Sequence, residues 1–241
     1  MNPFIRRLLP RRVVEIARTM FGPALADPWM TDRLSREQFF FRAFYALTFN
    51  GIEGDYVEFG SHGGVTFYLA YRESRRFGHR GKLWAFDSFA GLPPQQGEAD
   101  RHPKWVEGAM ATSVGKFHCV CDDNGIPRDA YETVPGYYED SLPRLGSGPP
   151  NNIALAYVDC DLYSSTKTVL GFLLPRLKHG MIIAFDDYYN YSADQLAGER
   201  RACLEIFTEH PRWILEPYQQ IGWFGMSFIV EERALQPRTA T

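Results

Sequence analysis

Short apolar runs alternate along most of this chain with segments whose apolar residues recur at helical spacing. The apolar runs, which predict β-strands, are at 56–59, 82–86, 131–137, 152–163 and 181–189. The segments with helical spacing are at 64–77, 164–180 and 193–209, and a further helix is expected within 105–125. A strand-helix-strand order predicts a parallel sheet with helices on its faces.

The two ends of the chain extend this pattern. Residues 35–49 are rich in phenylalanine, and Ser35 and Gln38 have the spacing of a capping box, so we expect a buried helix that opens at Ser35. Residues 213–232 predict two strands around a glycine-bearing turn, as an antiparallel hairpin on the sheet edge. The predicted organisation is an N-terminal helical extension or lid at 1–50 and an α/β domain at 51–241, with an insertion at about 89–130. Loops of that length are usually functional.

Composition narrows the function classes. A chain of 241 residues with 45% apolar residues can bury the core of one α/β domain. The net charge of −3 does not indicate the basic surface that nucleic-acid binding requires, so a small-molecule partner is expected. The four cysteines lack C-x-x-C spacing, which favours free thiols in a reducing, cytoplasmic compartment.

Membrane insertion and export are not expected. No apolar stretch approaches the roughly 18 residues that a membrane-spanning helix needs. The basic N-terminal segment at 1–14 lacks the apolar core of a signal peptide. A solvated helix or frayed arm is the favoured interpretation of this segment, and a basic helix that touches a membrane or a phosphorylated partner is the alternative.

The stretch VEFGSHGG at 57–64 places an acid and three glycines after the first predicted strand. Ligands of open parallel sheets bind beyond the carboxyl ends of the strands, and Gly60, Gly63 and Gly64 would let a ligand approach the backbone there. The spacing is not that of the dinucleotide fingerprint, and Glu58 would repel a pyrophosphate. The turn therefore favours a ligand with cationic groups.

A second acid, Asp87, ends the next predicted strand, where an acid is placed to bind the hydroxyls of a ribose. An adenosine with a positively charged tail suits both Glu58 and Asp87, and S-adenosylmethionine (SAM) is such a ligand. The alternative is that both acids cap helices or turns, as strand-end acids do in many α/β folds.

Two further strands end in acids, in the sequences VDCD at 158–161 and FDDY at 185–188. If these strands are neighbours, their ends lie roughly 5 Å apart, so Asp159, Asp186 and Asp187 can converge. Converging carboxylates repel one another unless a cation lies between them, and ligation by oxygen atoms alone suits Mg²⁺. The alternative is that these acids cap helices or pair with arginine and lysine.

Taken together, these motifs resemble the macrocin O-methyltransferase (TylF-like) family of SAM-dependent sugar methyltransferases. The segments that carry the resemblance are VEFGSHGG, AFDSFAGLP, VPGYYEDSLP, AYVDCDLYSSTKTVL and GMIIAFDDY, in this order across residues 55–190. The resemblance implies a class I methyltransferase fold: a Rossmann-like, mostly parallel, seven-stranded sheet with a C-terminal antiparallel hairpin. It implies SAM binding near Glu58, Gly60, Ser61, Asp87 and Ser88. It also implies a divalent metal, with Mg²⁺ expected, on Asp159, Asp186 and Asp187.

The chemistry implied is transfer of a methyl group from SAM to a sugar hydroxyl, which requires alignment, exclusion of water and removal of a proton. Candidate bases are Asp159, Asp161 and His62. One alternative function is a metal-dependent glycosyltransferase, because Asp159-Cys160-Asp161 is a D-x-D motif. A catechol-type O-methyltransferase is another, since the same metal would chelate a catechol. A non-catalytic binding module would explain neither the acids nor the long insertion.

The expected partner is a saccharide or glycoside acceptor, with a homo-oligomer such as a dimer left open. Aromatic residues near the expected pocket offer flat faces for stacking on sugar rings. These residues are Phe89, Trp105, Phe117, Tyr137, Tyr138, Tyr163, Tyr188, Tyr189 and Tyr191. The alternative is that most of them pack in the core.

Overall fold

The structure is a computed structural model that describes residues 28–190 and 195–235. The basic segment at 1–14, Tyr191 and the first residues of the helix expected at 193–209 lie outside the described residues. Among the helices in the described part of the chain, none combines the length and the apolar character that crossing a membrane requires.

Six helices and seven strands form the described fold. The helices are α1 (Pro28–Phe49), α2 (Val65–Arg76), α3 (Val114–Asp123), α4 (Tyr138–Leu145), α5 (Tyr163–Leu173) and α6 (Gly198–Glu209). The strands are β1 (Asp55–Phe59), β2 (Leu83–Asp87), β3 (Tyr131–Pro135), β4 (Ile153–Val158), β5 (Ile182–Phe185), β6 (Trp213–Ile221) and β7 (Gly225–Glu232). The predicted strands are therefore confirmed, and a helix does lie within the insertion.

The seven strands form one sheet in the order β3-β2-β1-β4-β5-β7-β6. Strands β1 to β5 are parallel to one another, whereas β7 is antiparallel to both β5 and β6. This arrangement confirms the class I methyltransferase fold and the C-terminal hairpin. The strand order reverses between β1 and β4, where open α/β sheets bind their ligands.

Apolar side chains cover both faces of the sheet, as expected for buried parallel strands. On one face, Tyr56, Leu83 and Ala85 pack with aromatic side chains of α1, α2 and α3. On the other, Val57 and Phe59 pack with apolar side chains of α4, α5 and α6. Successive residues of β1 alternate between these faces, so the sheet is the middle of three layers.

Two helix starts depend on contacts with distant segments, and one of them differs from the sequence expectation. Helix α1 begins at Pro28 and continues through Ser35, so Ser35 is not an N-cap. The Ser35 hydroxyl instead accepts a hydrogen bond from the backbone N–H of Gly222, in the β6–β7 turn, at 2.9 Å. Helix α5 begins without a side-chain cap of its own, and Asp100 from the insertion accepts the Ser164 N–H at 2.8 Å. A tertiary contact thus replaces the local cap expected at Ser35, and α5 likewise begins on a contact from another segment.

Candidate active site

A cleft opens at the carboxyl edge of the sheet, at the point where the strand order reverses. The loops after β1, β2, β3 and β4 all contribute to its lining. Lining residues that the sequence predicted are Gly60, His62, Asp87, Ser88, Tyr137, Tyr138, Asp159 and Asp161. The insertion adds Gly91, Leu92, Pro93, Ala109 and Met110. The insertion therefore forms one wall of the cleft.

Gly60 brings the β1 turn and the β4 loop into close contact. Its backbone has a positive φ of 92°, which residues with a side chain rarely adopt. A Cβ atom at this position would lie 1.9 Å from the carbonyl oxygen of Asp159. The cleft floor thus requires glycine at this position, because a backbone atom of the neighbouring loop occupies the space of a side chain.

Asp87 lies at the end of β2 on the side of the cleft. One carboxylate oxygen accepts the backbone N–H of His62 at 2.9 Å, and the other accepts that of Phe89 at 2.6 Å. These two bonds fix the carboxylate between the glycine turn and the insertion. Each oxygen keeps a second lone pair, so the group can still accept hydrogen bonds from a diol.

Glu58 is fully buried beneath the turn and is not among the residues that line the cleft. Its carboxyl group accepts hydrogen bonds from the Tyr56 hydroxyl and, at 2.9 Å, from the Thr66 hydroxyl. Burial raises the pKa of Glu58 to about 8, against the opposing effect of these two bonds. Ser61 is also buried, and its hydroxyl has no hydrogen-bond partner within the described residues.

Three carboxylates converge at the ends of β4 and β5. Oxygen atoms of Asp159, Asp161 and Asp187 all lie within 4.8 Å of one another. Burial raises the pKa of each of these groups, and neighbouring acids raise the pKa of Asp159 and Asp161 further. Asp161 also has a positive φ of 60°, a conformation that costs energy for a residue with a side chain. The cluster is an electrostatically unfavourable arrangement that a cation would relieve.

Asp186, which the sequence placed in this cluster, pairs with an arginine instead. Arg36 of α1 donates to its two oxygens from Nε at 3.1 Å and from Nη2 at 2.6 Å. The Tyr157 hydroxyl donates to the same carboxylate. In the structure, Asp161 therefore joins Asp159 and Asp187 in the cluster. Asp186 is bound by Arg36 of α1 instead.

Glu199, in the first turn of α6, is a site residue that sequence reasoning missed. It is fully buried and accepts backbone N–H groups from both acid-bearing loops, at Cys160 and at Asp187, each at 2.9 Å. Arg36 was missed as well, because its partner is 150 positions away in the chain. Tyr56, which donates to Glu58, was also missed. Its contact could have been predicted, because residues two positions apart lie on the same face of a strand.

Hydrogen bonds attach the insertion to the cleft at several points. His62 Nδ1 donates to the Met110 carbonyl at 2.5 Å and lies 3.2 Å from the Thr112 hydroxyl. Because Nδ1 carries the proton, Nε2 is the acceptor atom of the neutral ring. At the other end of the insertion, buried Asp100 accepts the Ser164 hydroxyl at 2.7 Å.

A smaller, shallow groove lies beside the cleft and shares Asp161 with it. Its lining includes Trp105 and His102, whose ring centroids are 4.7 Å apart, and Asn190. The expected stacking surface is only partly present, because some of the predicted aromatic residues are buried in the core. The core residues are Phe89, Phe117 and Tyr188.

Sequence comparison finds relatives of this chain among known proteins. A sequence model of the family described as Macrocin-O-methyltransferase (TylF) matches residues 25–229. A relative from Streptomyces olivaceus, 8-demethyl-8-(2,3-dimethoxy-alpha-L-rhamnosyl)-tetracenomycin-C 4'-O-methyltransferase, is 30% identical over 249 residues, which span 97% of this chain and 84% of that protein. The demethyldecarbamoylnovobiocin O-methyltransferase of Streptomyces niveus is 28% identical over 145 residues, 58% of this chain and 54% of that protein.

Solved structures show the same fold. The O-methyltransferase NovP has a TM-score of 0.70 at 22% identity, and the match covers 83% of this chain and 80% of NovP. The calicheamicin methyltransferase CalS11 has a TM-score of 0.68 at 25% identity, and the match covers 92% of this chain and 86% of CalS11.

Proposed function

Because the chain belongs to the macrocin O-methyltransferase family, we propose that this methyltransferase transfers a methyl group from SAM to a sugar hydroxyl of a glycosylated small molecule. The observation that carries the proposal is that the large cleft and the small groove meet at Asp161, beside the carboxylate cluster. We assign the cleft to the methyl donor and the groove side of Asp161 to the acceptor. The name of the Streptomyces olivaceus relative, which specifies a rhamnosyl tetracenomycin, supports a sugar as the acceptor.

The large cleft is the proposed SAM site. Gly60 keeps its floor free of side-chain atoms, and Asp87 presents acceptor oxygens of the kind that a ribose diol requires. Ser88 lines the same wall, whereas Glu58 and Ser61 lie below it. We propose that these two residues support the glycine turn from beneath the floor of the cleft.

The carboxylate cluster is the proposed metal site, with Asp159, Asp161 and Asp187 as ligands. The donor set suits Mg²⁺, which prefers oxygen ligands and retains several waters. The raised pKa values of the cluster support the same conclusion, because a cation would stabilise all three charged forms at once. When bound, the cation would supply Lewis-acid activation of the acceptor hydroxyl.

The chain's own residues must align the reactants, exclude water and accept the hydroxyl proton. Methyl transfer is an in-line displacement, in which the acceptor oxygen bonds to the methyl carbon as the carbon–sulfur bond breaks. The insertion, fixed by His62 and Asp100, covers one side of the cleft and limits the access of water. Candidate acceptors for the proton are Asp159, Asp161 and Nε2 of His62, all of which line the cleft.

The small groove is the proposed acceptor site. Its Trp105 provides an aromatic face of the kind that packs on sugar rings, and Asn190 provides hydrogen-bonding groups. Membership of a methyltransferase family argues against the glycosyltransferase alternative, although the D-x-D acids do lie together. A catechol acceptor is the competing proposal, because two adjacent phenolic oxygens would chelate the same cation.

The experiment is a screen of acceptors with SAM and Mg²⁺, followed by mass spectrometry of the products. Rhamnosides, other glycosides and catechols form the panel, and omission of SAM is the control. The proposal expects a single added methyl group on a glycoside. If only catechols were methylated and every glycoside stayed unmodified, the acceptor would be a catechol and not a sugar, and the proposed SAM site would be unaffected.

A further inference from the structure

Glu199 joins the two loops that carry the cluster of three carboxylates. Its Oε1 accepts the N–H of Cys160, between Asp159 and Asp161, and its Oε2 accepts the N–H of Asp187. Both distances are 2.9 Å, and the side chain is fully buried. One rigid carboxylate therefore spans the gap between the β4 and β5 loops.

The preceding residue holds the start of α6 against the same loops. Gly198 has a positive φ of 57°, and a Cβ on it would lie 3.4 Å from the carbonyl oxygen of Asp161. The helix start thus packs directly on the backbone of the β4 loop. Because Glu199 follows immediately, its position relative to that loop is fixed by the backbone.

A carboxylate is suited to this role in a way that other side chains are not. Two backbone N–H groups need two acceptor atoms, and a carboxylate offers two that are held in one plane. An amide would turn its NH₂ group towards one of the two N–H groups. A shorter acid would keep both acceptors and the charge but would no longer reach both loops.

We propose that Glu199 is a positioning residue, which sets the spacing of the two acid-bearing loops and thereby the affinity of the Asp159, Asp161 and Asp187 site for a divalent cation. The inference rests on the proposed metal site and adds to it a residue that touches no ligand. Metal sites depend on such supporting hydrogen bonds, and losing one typically weakens affinity about 10- to 100-fold.

Two variants separate positioning from charge. Glu199→Asp keeps the negative charge and shortens the reach, whereas Glu199→Gln keeps the length and removes one acceptor. Mn²⁺ is titrated into each protein and followed by electron paramagnetic resonance, with competition by Mg²⁺. Glu205→Gln is the matched control on the same helix, because Glu205 bonds to the side chains of Tyr163, Arg201 and Lys167 rather than to the acid loops.

The inference predicts that both Glu199 variants bind Mn²⁺ about 10-fold to 100-fold more weakly, while Glu205→Gln binds it as the wild type does. Thermal unfolding without metal shows that each variant is folded at the assay temperature, and either folded variant suffices for the test. Wild-type affinity in Glu199→Asp would mean that only the charge matters and would overturn the positioning role. Wild-type affinity in folded Glu199→Gln would overturn it as well.

The same titration distinguishes this inference from the proposed metal site. If the wild type binds Mn²⁺ and Asp159→Asn abolishes binding, the metal site stands whatever the Glu199 variants do. If the wild type binds no Mn²⁺, the metal site and the role of Glu199 are both rejected.

Discussion

Replacing Arg36 by methionine should destabilise the protein far more than removing an exposed ion pair of α1 would. Arg36 lies on α1 and makes two hydrogen bonds to Asp186 at the end of β5, at 3.1 and 2.6 Å. The side chains are 20% and 9% exposed. Burial works against the charged guanidinium and is the largest single effect, yet the charge of Asp186, its hydrogen bond and the neighbouring Tyr157 and Asp159 together outweigh it and raise the pKa of Arg36.

The magnitude follows from what the substitution leaves behind. Methionine keeps the helix propensity and most of the length, so the main loss is the shared partner of two buried carboxylates, Asp186 and Asp32. Breaking a buried pair on one side costs about 3–5 kcal/mol, and the partial exposure of this pair reduces our expectation to about 2–4 kcal/mol. Asp186 would also face Asp159 without compensation, since these two charges already interact.

The assay is urea unfolding in the presence of EDTA, so that metal binding does not contribute to the measured free energy. Arg33→Met is the control on the same helix, because Arg33 is 48% exposed and lies 3.5 Å from Glu37. Its expected cost is about 0–0.5 kcal/mol. Equal destabilisation by the two substitutions would refute the assignment of a buried ion pair between α1 and β5.

Three further predictions test other parts of the site. Burial raises the pKa of Glu58 from 4.5 to about 8, so the folded state keeps a proton that the unfolded state loses. Glu58 should therefore contribute a fall of up to about 5 kcal/mol in the free energy of unfolding as the pH rises from about 4.5 to about 8, and Glu58→Gln should flatten the profile by that amount in pH-resolved urea unfolding; parallel profiles would contradict the raised pKa. In the same assay, Gly60→Ala should lower the free energy of unfolding by about 3 kcal/mol or more. Gly63→Ala should change it by no more than about 0.5 kcal/mol, because the space that its Cβ would occupy is open. EDTA should abolish methyl transfer and Mg²⁺ should restore it, and full turnover after exhaustive chelation would reject the metal site.

The sequence predicted the sheet well because its signals are local. Buried parallel strands are continuous apolar runs, and each of the motifs at β1, β2, β4 and β5 spans the end of its strand. The acids after these strands necessarily meet at one edge once the strands are parallel. The convergence of Asp159 and Asp187 was therefore predictable without the structure.

What the sequence could not predict depends on distant partners. Asp186 and Asp187 are adjacent and chemically identical, and only the position of Arg36 on α1 separates their roles. Ser35 fits a capping box, yet its hydroxyl accepts a hydrogen bond from the β6–β7 turn and the helix continues through this residue. Glu199 has no motif, because its function arises from two backbone N–H groups in two other loops.

Binding of S-adenosylhomocysteine, measured by calorimetry, tests the central claim most directly. The account predicts that the wild type binds it and that Asp87→Ala weakens binding about 10-fold to 100-fold, through loss of charge-assisted hydrogen bonds to the ribose. Asp123→Ala, which changes an exposed acid at the end of α3, should bind as the wild type does. Unchanged affinity in Asp87→Ala, or no binding by the wild type, would contradict the assignment of the cleft as the SAM site.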